Sequence, residues 1–126
     1  MSGVNVVFVE PFFPPNQREF VRIPSDEGFP DGPTVDSEGC VWIGLYLGSA
    51  VRRYSPKGQL LETVAFPVDA ITKIAFGGPG LKAVFATTAN KHLSAEEKAA
   101  RPTSGDLFRF EVSVAGQSGV MVREGL

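Results

Sequence analysis

The chain has 126 residues, 43% hydrophobic and 21% charged, with a formal net charge of -2 and a pI near 5.4. This is the composition of one soluble globular domain rather than of a disordered or fibrous chain. Its twelve Lys and Arg are dispersed, so the sequence carries no basic footprint for nucleic acid or for an anionic membrane surface. No apolar run approaches the roughly 20 residues of a membrane span, and Met1 to Asn16 lacks the basic start, apolar centre and small-residue cleavage site of a signal peptide, which makes the cytoplasm the expected compartment.

The hydrophobic period is close to two along most of the chain, with β-branched and aromatic residues between Gly and Pro punctuation, so strands dominate the expectation. Val4 to Val9 reads as a first strand. Pro11, Pro14 and Pro15 follow and cannot extend a central ladder, which predicts an extended linker. A strand resumes at Phe20 to Ile23. Short runs then come in succession at Thr34 to Asp36, Val41 to Leu45, Val51 to Tyr54 and Leu60 to Phe66, with reversals at Asp36 to Gly39, Gly48-Ser49 and Pro56-Lys57-Gly58. Four strands in about 35 residues make one sheet of the size of a propeller blade.

A second unit repeats the order. Thr72 to Phe76, the Gly77-Gly78-Pro79-Gly80 reversal, Ala83 to Thr88, Leu107 to Glu111 and Val120 to Arg123 are its expected strands, with a longer insertion between the second and third. In that insertion Ser94-Ala95-Glu96-Glu97 is a capping box that opens a helix through Ala100, and Pro102 enforces its end. The fold class expected is therefore all-β, built as two to three four-stranded antiparallel β-propeller blades with one short helix.

Few side chains carry chemistry. Asp31 stands in Pro30-Asp31-Gly32, where a turn carboxylate either accepts backbone N–H bonds or faces a ligand. Asp36 with Gly39 is expected to hold a hairpin, and Trp42 to lie in the core. Cys40 has no partner for an internal disulfide, and its apolar strand predicts a buried, inert thiol. His92, the single histidine, is either an exposed loop residue or an acid or base at a channel mouth. Arg52 and Arg53 point to opposite faces of a strand and make no patch. Gly77 to Gly80 lacks the Lys-Ser/Thr and helix of a phosphate loop. Ser37, Ser49 and Ser55 lack the context of a nucleophile elbow.

The stretches PDGPTVDSEGCVWIGLYLGSAVRRYSPKGQLLETVAFP, ITKIAFGGPGLKAVFATT and LSAEEKAARPTSGDLFRFE together resemble the later blades of the gluconolactonase, regucalcin (senescence marker protein) and sugar-lactonase family, from about Arg18 to Glu111. Pro-Asp-Gly, the D-x-x-G-x-x-W hairpin, the AFGG reversal and the LSAEE helix occur in the family's order. On this resemblance residues 1–17 are a strand and Pro-rich linker outside the family pattern. Residues 18–126 form a partial propeller domain with blades at about 30–67 and 68–124.

The resemblance implies a six-bladed propeller that binds a divalent metal (calcium, magnesium or zinc) in its central channel and hydrolyses sugar lactones to open acids. It implies that Asp31 matches the family's late metal-binding aspartate and serves as metal ligand and catalytic carboxylate. The family's other ligands, a glutamate in a Gly-Glu-Ser-Pro motif and an asparagine from a middle blade, have no equivalent here, and neither Glu10 nor Asn16 stands in such a context. A closed propeller needs at least four blades of about 40 residues each, so the sequence predicts oligomerisation. Two chains of three blades or three chains of two would bring symmetry-related Asp31 residues toward one axis. The expectation is a metal-dependent sugar-lactone hydrolase completed as a homodimer or homotrimer, with a small sugar lactone as ligand and no nucleic-acid or membrane partner. The alternatives are a noncatalytic metal or small-ligand binding module and a structural or adaptor remnant.

Overall fold

The computed structural model describes residues 3–9 and 17–119. Within them three antiparallel sheets follow one another along the chain. Strands β1 (Val4–Val9) and β2 (Arg18–Pro24) form a two-stranded sheet. Strands β3 (Phe29–Val35), β4 (Val41–Tyr46), β5 (Ala50–Tyr54) and β6 (Leu60–Ala65) form a four-stranded meander. Strands β7 (Ile71–Gly77), β8 (Ala83–Thr88) and β9 (Leu107–Glu111) form a three-stranded sheet. The expected strand at Val120 to Arg123 lies outside the described residues, as do the prolines at positions 11, 14 and 15.

The middle sheet is covered on both faces, which explains why β4 is buried almost throughout instead of alternating. On one side Ile43, Leu45, Ala50 and Tyr54 pack against Phe20 and Ile23 of β2. On the other, Trp42 and Val51 pack against Ile71, Ile74, Val84 and Ala86 of the third sheet. Aromatic edges complete this second seam: Trp42 meets Phe76 at 6.0 Å and 88°, and Phe66 meets Phe108 at 5.3 Å and 62°, within the preferred range for edge-to-face pairs.

One element differs from the expectation. The Pro30-Asp31-Gly32 segment is not a free turn; β3 begins at Phe29 and runs through it, pairing Asp31 with Gly44 before the register shifts between Asp31 and Thr34. Two prolines are tolerated because β3 ends its sheet and pairs through hydrogen bonds with β4 alone. The helix forms as the sequence predicts: α1 (Ala95–Ala100) starts after Ser94, whose side chain accepts a bond from the Glu97 amide at 3.1 Å.

Candidate functional site

Asp31 is fixed by its neighbours rather than by its own side chain. Gly32 has φ +54, and a Cβ there would strike the Thr72 carbonyl oxygen and lie 2.5 Å from Lys73 Cα. Only a glycine lets β3 approach β7 so closely in this left-handed conformation. Across the ladder, Gly44 lies under Ile71, whose Cγ2 would be 2.8 Å from an added Cβ. Lys73 Nζ, from the same strand β7, donates to the Pro33 carbonyl at 3.1 Å. The carboxylate itself is exposed and makes no hydrogen bond or ion pair among the described residues. A neighbouring hydroxyl pair, Thr72 and Thr87 at 2.8 Å, bridges β7 and β8.

Strand register shows what shares this end of the sheets. Phe29 pairs with Tyr46, Ala50 with Ala65 and Ile71 with Thr88. The β4–β5 turn, the Phe66–Ala70 crossover and the Ala89–Asp106 insertion therefore all lie at the Asp31 end. There Asp69 receives two partners: His92 Nε2 at 3.0 Å and Arg101 Nη1 at 2.9 Å. The His92 ring also packs on Tyr46 with centroids 5.6 Å apart. His92 is thus on the mouth side, held in a hydrogen-bonded cluster with Asp69, which also pairs with Arg101. Asp69 and Arg101 were not singled out in the sequence; they stand 23 and 32 residues from their partners, and no local pattern marks such a pairing.

The opposite end is structural. Asp36, with no exposed surface, accepts bonds from the Glu38 and Cys40 amides, the Trp42 indole at 2.9 Å and Arg53 Nε at 2.8 Å. Burial alone would raise its pKa, but the bonds from Trp42, Arg53, Cys40 and Glu38 together hold it below the usual carboxylate value. Burial pushes the Cys40 thiol up, and the adjacent Asp36 charge adds to that, so Cys40 is an inert core residue. Arg52 and Arg53 do face opposite ways: Arg53 is buried over Trp42, whereas Arg52 pairs with Glu27 at 2.7 Å.

A divalent metal at Asp31 needs several further oxygen ligands. Among the described residues no group of three or more His, Cys, Asp or Glu is arranged to hold a metal ion. One carboxylate alone does not satisfy a hard cation that takes about six oxygens, so the described residues do not form a complete metal site. A mainly apolar cleft of about 140 Å³ lies between Val64–Pro67 and Phe108–Phe110, and Asp31 is not among its lining residues.

A family profile described as the SMP-30/Gluconolactonase/LRE-like region matches residues 13–90. A 6-deoxy-6-sulfogluconolactonase of Pseudomonas putida is 41% identical over 99 residues, 79% of this chain and 33% of that protein. Regucalcin of Xenopus laevis is 35% identical over 75% of this chain and 32% of its own length. Among solved structures, regucalcin of Agrobacterium tumefaciens, described as a calcium-binding protein, superposes with a TM-score of 0.75 at 29% identity, covering 80% of this chain and 34% of that one. The chain thus spans about a third of the length of the curated relatives it matches.

Proposed function

This chain belongs to the SMP-30/gluconolactonase/LRE-like family, and on that premise we propose that it is a sugar-lactone hydrolase, gluconolactonase-like and metal-dependent, whose site is completed by association of further copies. Its sheets are propeller blades, and its relatives include a sugar lactonase. The observation that carries the reading is the construction around Asp31: an exposed carboxylate, unpaired among the described residues, at a bulge whose glycine is dictated by the approach of β7. A carboxylate that served only the turn would accept backbone bonds, as Asp36 does.

Hydrolysis of a lactone adds water oxygen to the carbonyl carbon, breaks the ring C–O bond and leaves the proton on the departing hydroxyl. Asp31 is suited to take the proton from water and return it to the ring oxygen. A divalent ion would polarise the carbonyl and acidify the attacking water. Since no group of three or more His, Cys, Asp or Glu among the described residues is placed to hold such an ion, the oxygens beside Asp31 come, in this reading, from symmetry-related Asp31 residues around a homodimer or homotrimer axis.

A second reading is favoured by the lack of a metal cluster among the described residues: a noncatalytic module that binds a metal or small ligand. Titration of acid released from glucono-1,5-lactone, corrected for spontaneous opening, separates the two. The hydrolase reading expects turnover that chelator abolishes, that calcium, magnesium or zinc restores, and that Asp31→Ala lowers by about 100-fold or more. No turnover with any of the three ions would leave the binding module.

A further inference from the structure

The row of side chains above Asp31 has the chemistry of a recognition surface. Phe29 and Asp31 are two residues apart on regularly paired strand, so they project to one face about 7 Å apart. Tyr46 lies directly opposite Phe29, which brings their Cβ atoms to about 5 Å on that same face. His92 packs on Tyr46. Although large and aromatic, Phe29 is 43% exposed, whereas Trp42 on the same side of the sheet is 1% exposed. The ring therefore stands free beside a carboxylate.

Polar groups border the row. A carboxylate oxygen can only accept, so His92 Nε2 carries the proton shared with Asp69. Nδ1 is then the ring's other polar atom, with its direction fixed by Asp69 and Tyr46. Asp69 is itself held by Arg101, and the Ser49 amide donates to the Asp69 carbonyl at 3.2 Å. The Asp69 and Arg101 charges cancel, so the border suits neutral hydroxyls better than a phosphate.

We infer that Phe29, Tyr46 and His92 form a specificity shelf for the hydroxylated body of a neutral sugar-lactone ligand whose carbonyl lies at Asp31. The aromatic faces take the C–H side of the ring, and His92 Nδ1 hydrogen-bonds a hydroxyl, which can donate or accept. This rests on the lactone reading above, and deepens it by assigning the groups that tell a polyhydroxylated ring from a bare one.

The test is a 15N–1H NMR titration of the full chain in its native assembly with calcium, using gluconolactam, a hydroxylated ring amide that does not hydrolyse, and 2-piperidone, the same ring without hydroxyls. Gluconolactam is expected to shift the amides of Phe29, Asp31, Tyr46 and His92, and to bind about fivefold more weakly in His92→Ala, the worth of one hydrogen bond. Phe29→Ala is expected to weaken it similarly. 2-Piperidone keeps the C–H faces but has no hydroxyls, so it is expected to shift Phe29, Asp31, Gly32 and Tyr46, to weaken in Phe29→Ala, and to bind equally to the unaltered protein and His92→Ala. Gluconolactam affinity unchanged in both variants, or a loss in His92→Ala as large for 2-piperidone as for gluconolactam, would overturn the shelf and leave the lactone reading standing. Absence of any shift at Asp31 and Gly32 with either ligand would overturn both. Unaltered spectra away from this end identify variants that retain the fold.

Discussion

Arg53 Nε donates to the buried carboxylate of Asp36 at 2.8 Å, tying the β3–β4 turn to β5 across the sheet. The same oxygen accepts from the Trp42 indole, and the Arg53 guanidinium lies 5.8 Å from that ring's centroid. One carboxylate therefore sets the turn, the core tryptophan and the neighbouring strand together. Removing it leaves Arg53 Nε and several amide and indole donors without their acceptor, while Glu38 and Glu62 still hold the other guanidinium nitrogens. Asp36→Ala is expected to cost about 3–5 kcal/mol, read as a lowered urea midpoint.

The same pair predicts a direction for acid sensitivity. The Asp36 pKa in the folded protein is held below its ordinary value of 3.8 by the bonds from Trp42, Arg53, Cys40 and Glu38, which outweigh burial. Its contribution is therefore complete above that ordinary value and is lost as pH falls through the lower folded value. Urea midpoints measured from pH 7 to pH 2.5 should fall in that acid window, and Asp36→Asn should show a shallower fall because the titrating group is gone.

Gly32 and Gly80 offer a controlled comparison, since both have positive φ, +54 and +66. Nothing lies within 4 Å of a Cβ at Gly80, whereas one at Gly32 meets the β7 backbone. Gly80→Ala should cost about 1–2 kcal/mol from conformation alone. Gly32→Ala should cost more and should also disturb Asp31, so lactone turnover falls beyond what the loss of stability explains. Equal midpoints for the two variants would contradict the close approach of β3 to β7.

Phe66 sits where the second and third sheets meet, touching Phe108 and Phe110 with its edge. Phe66→Ala should cost about 3–5 kcal/mol through the cavity it opens. Thermal unfolding should remain a single transition, because this seam joins the two sheets into one core.

Much of this was legible in the sequence, for physical reasons that can be assigned residue by residue. The Asp36-Gly39-Trp42 spacing is local, since a hairpin fixes which of its own residues face inward, and Ser94 reads as a cap because the cap is satisfied within one turn. The strand through Pro30 to Pro33 was not legible: two prolines argue against a strand unless it lies at a sheet edge, and edge position is a tertiary fact. Nor was the joining of Asp69, His92 and Arg101, which depends on where the insertion returns to the crossover. Gly32 was visible as a turn glycine, but its reason, the backbone of β7, appears only in the packed sheets.

Native mass spectrometry of protein purified without chelator reports subunit count and bound metal in one spectrum. A propeller completed by association should appear as a dimer or trimer of the 13.5 kDa chain carrying a divalent ion that is lost in Asp31→Ala while the subunit count is kept. A metal-free monomer, or a metal-bearing assembly that Asp31→Ala leaves unchanged, would contradict that reading.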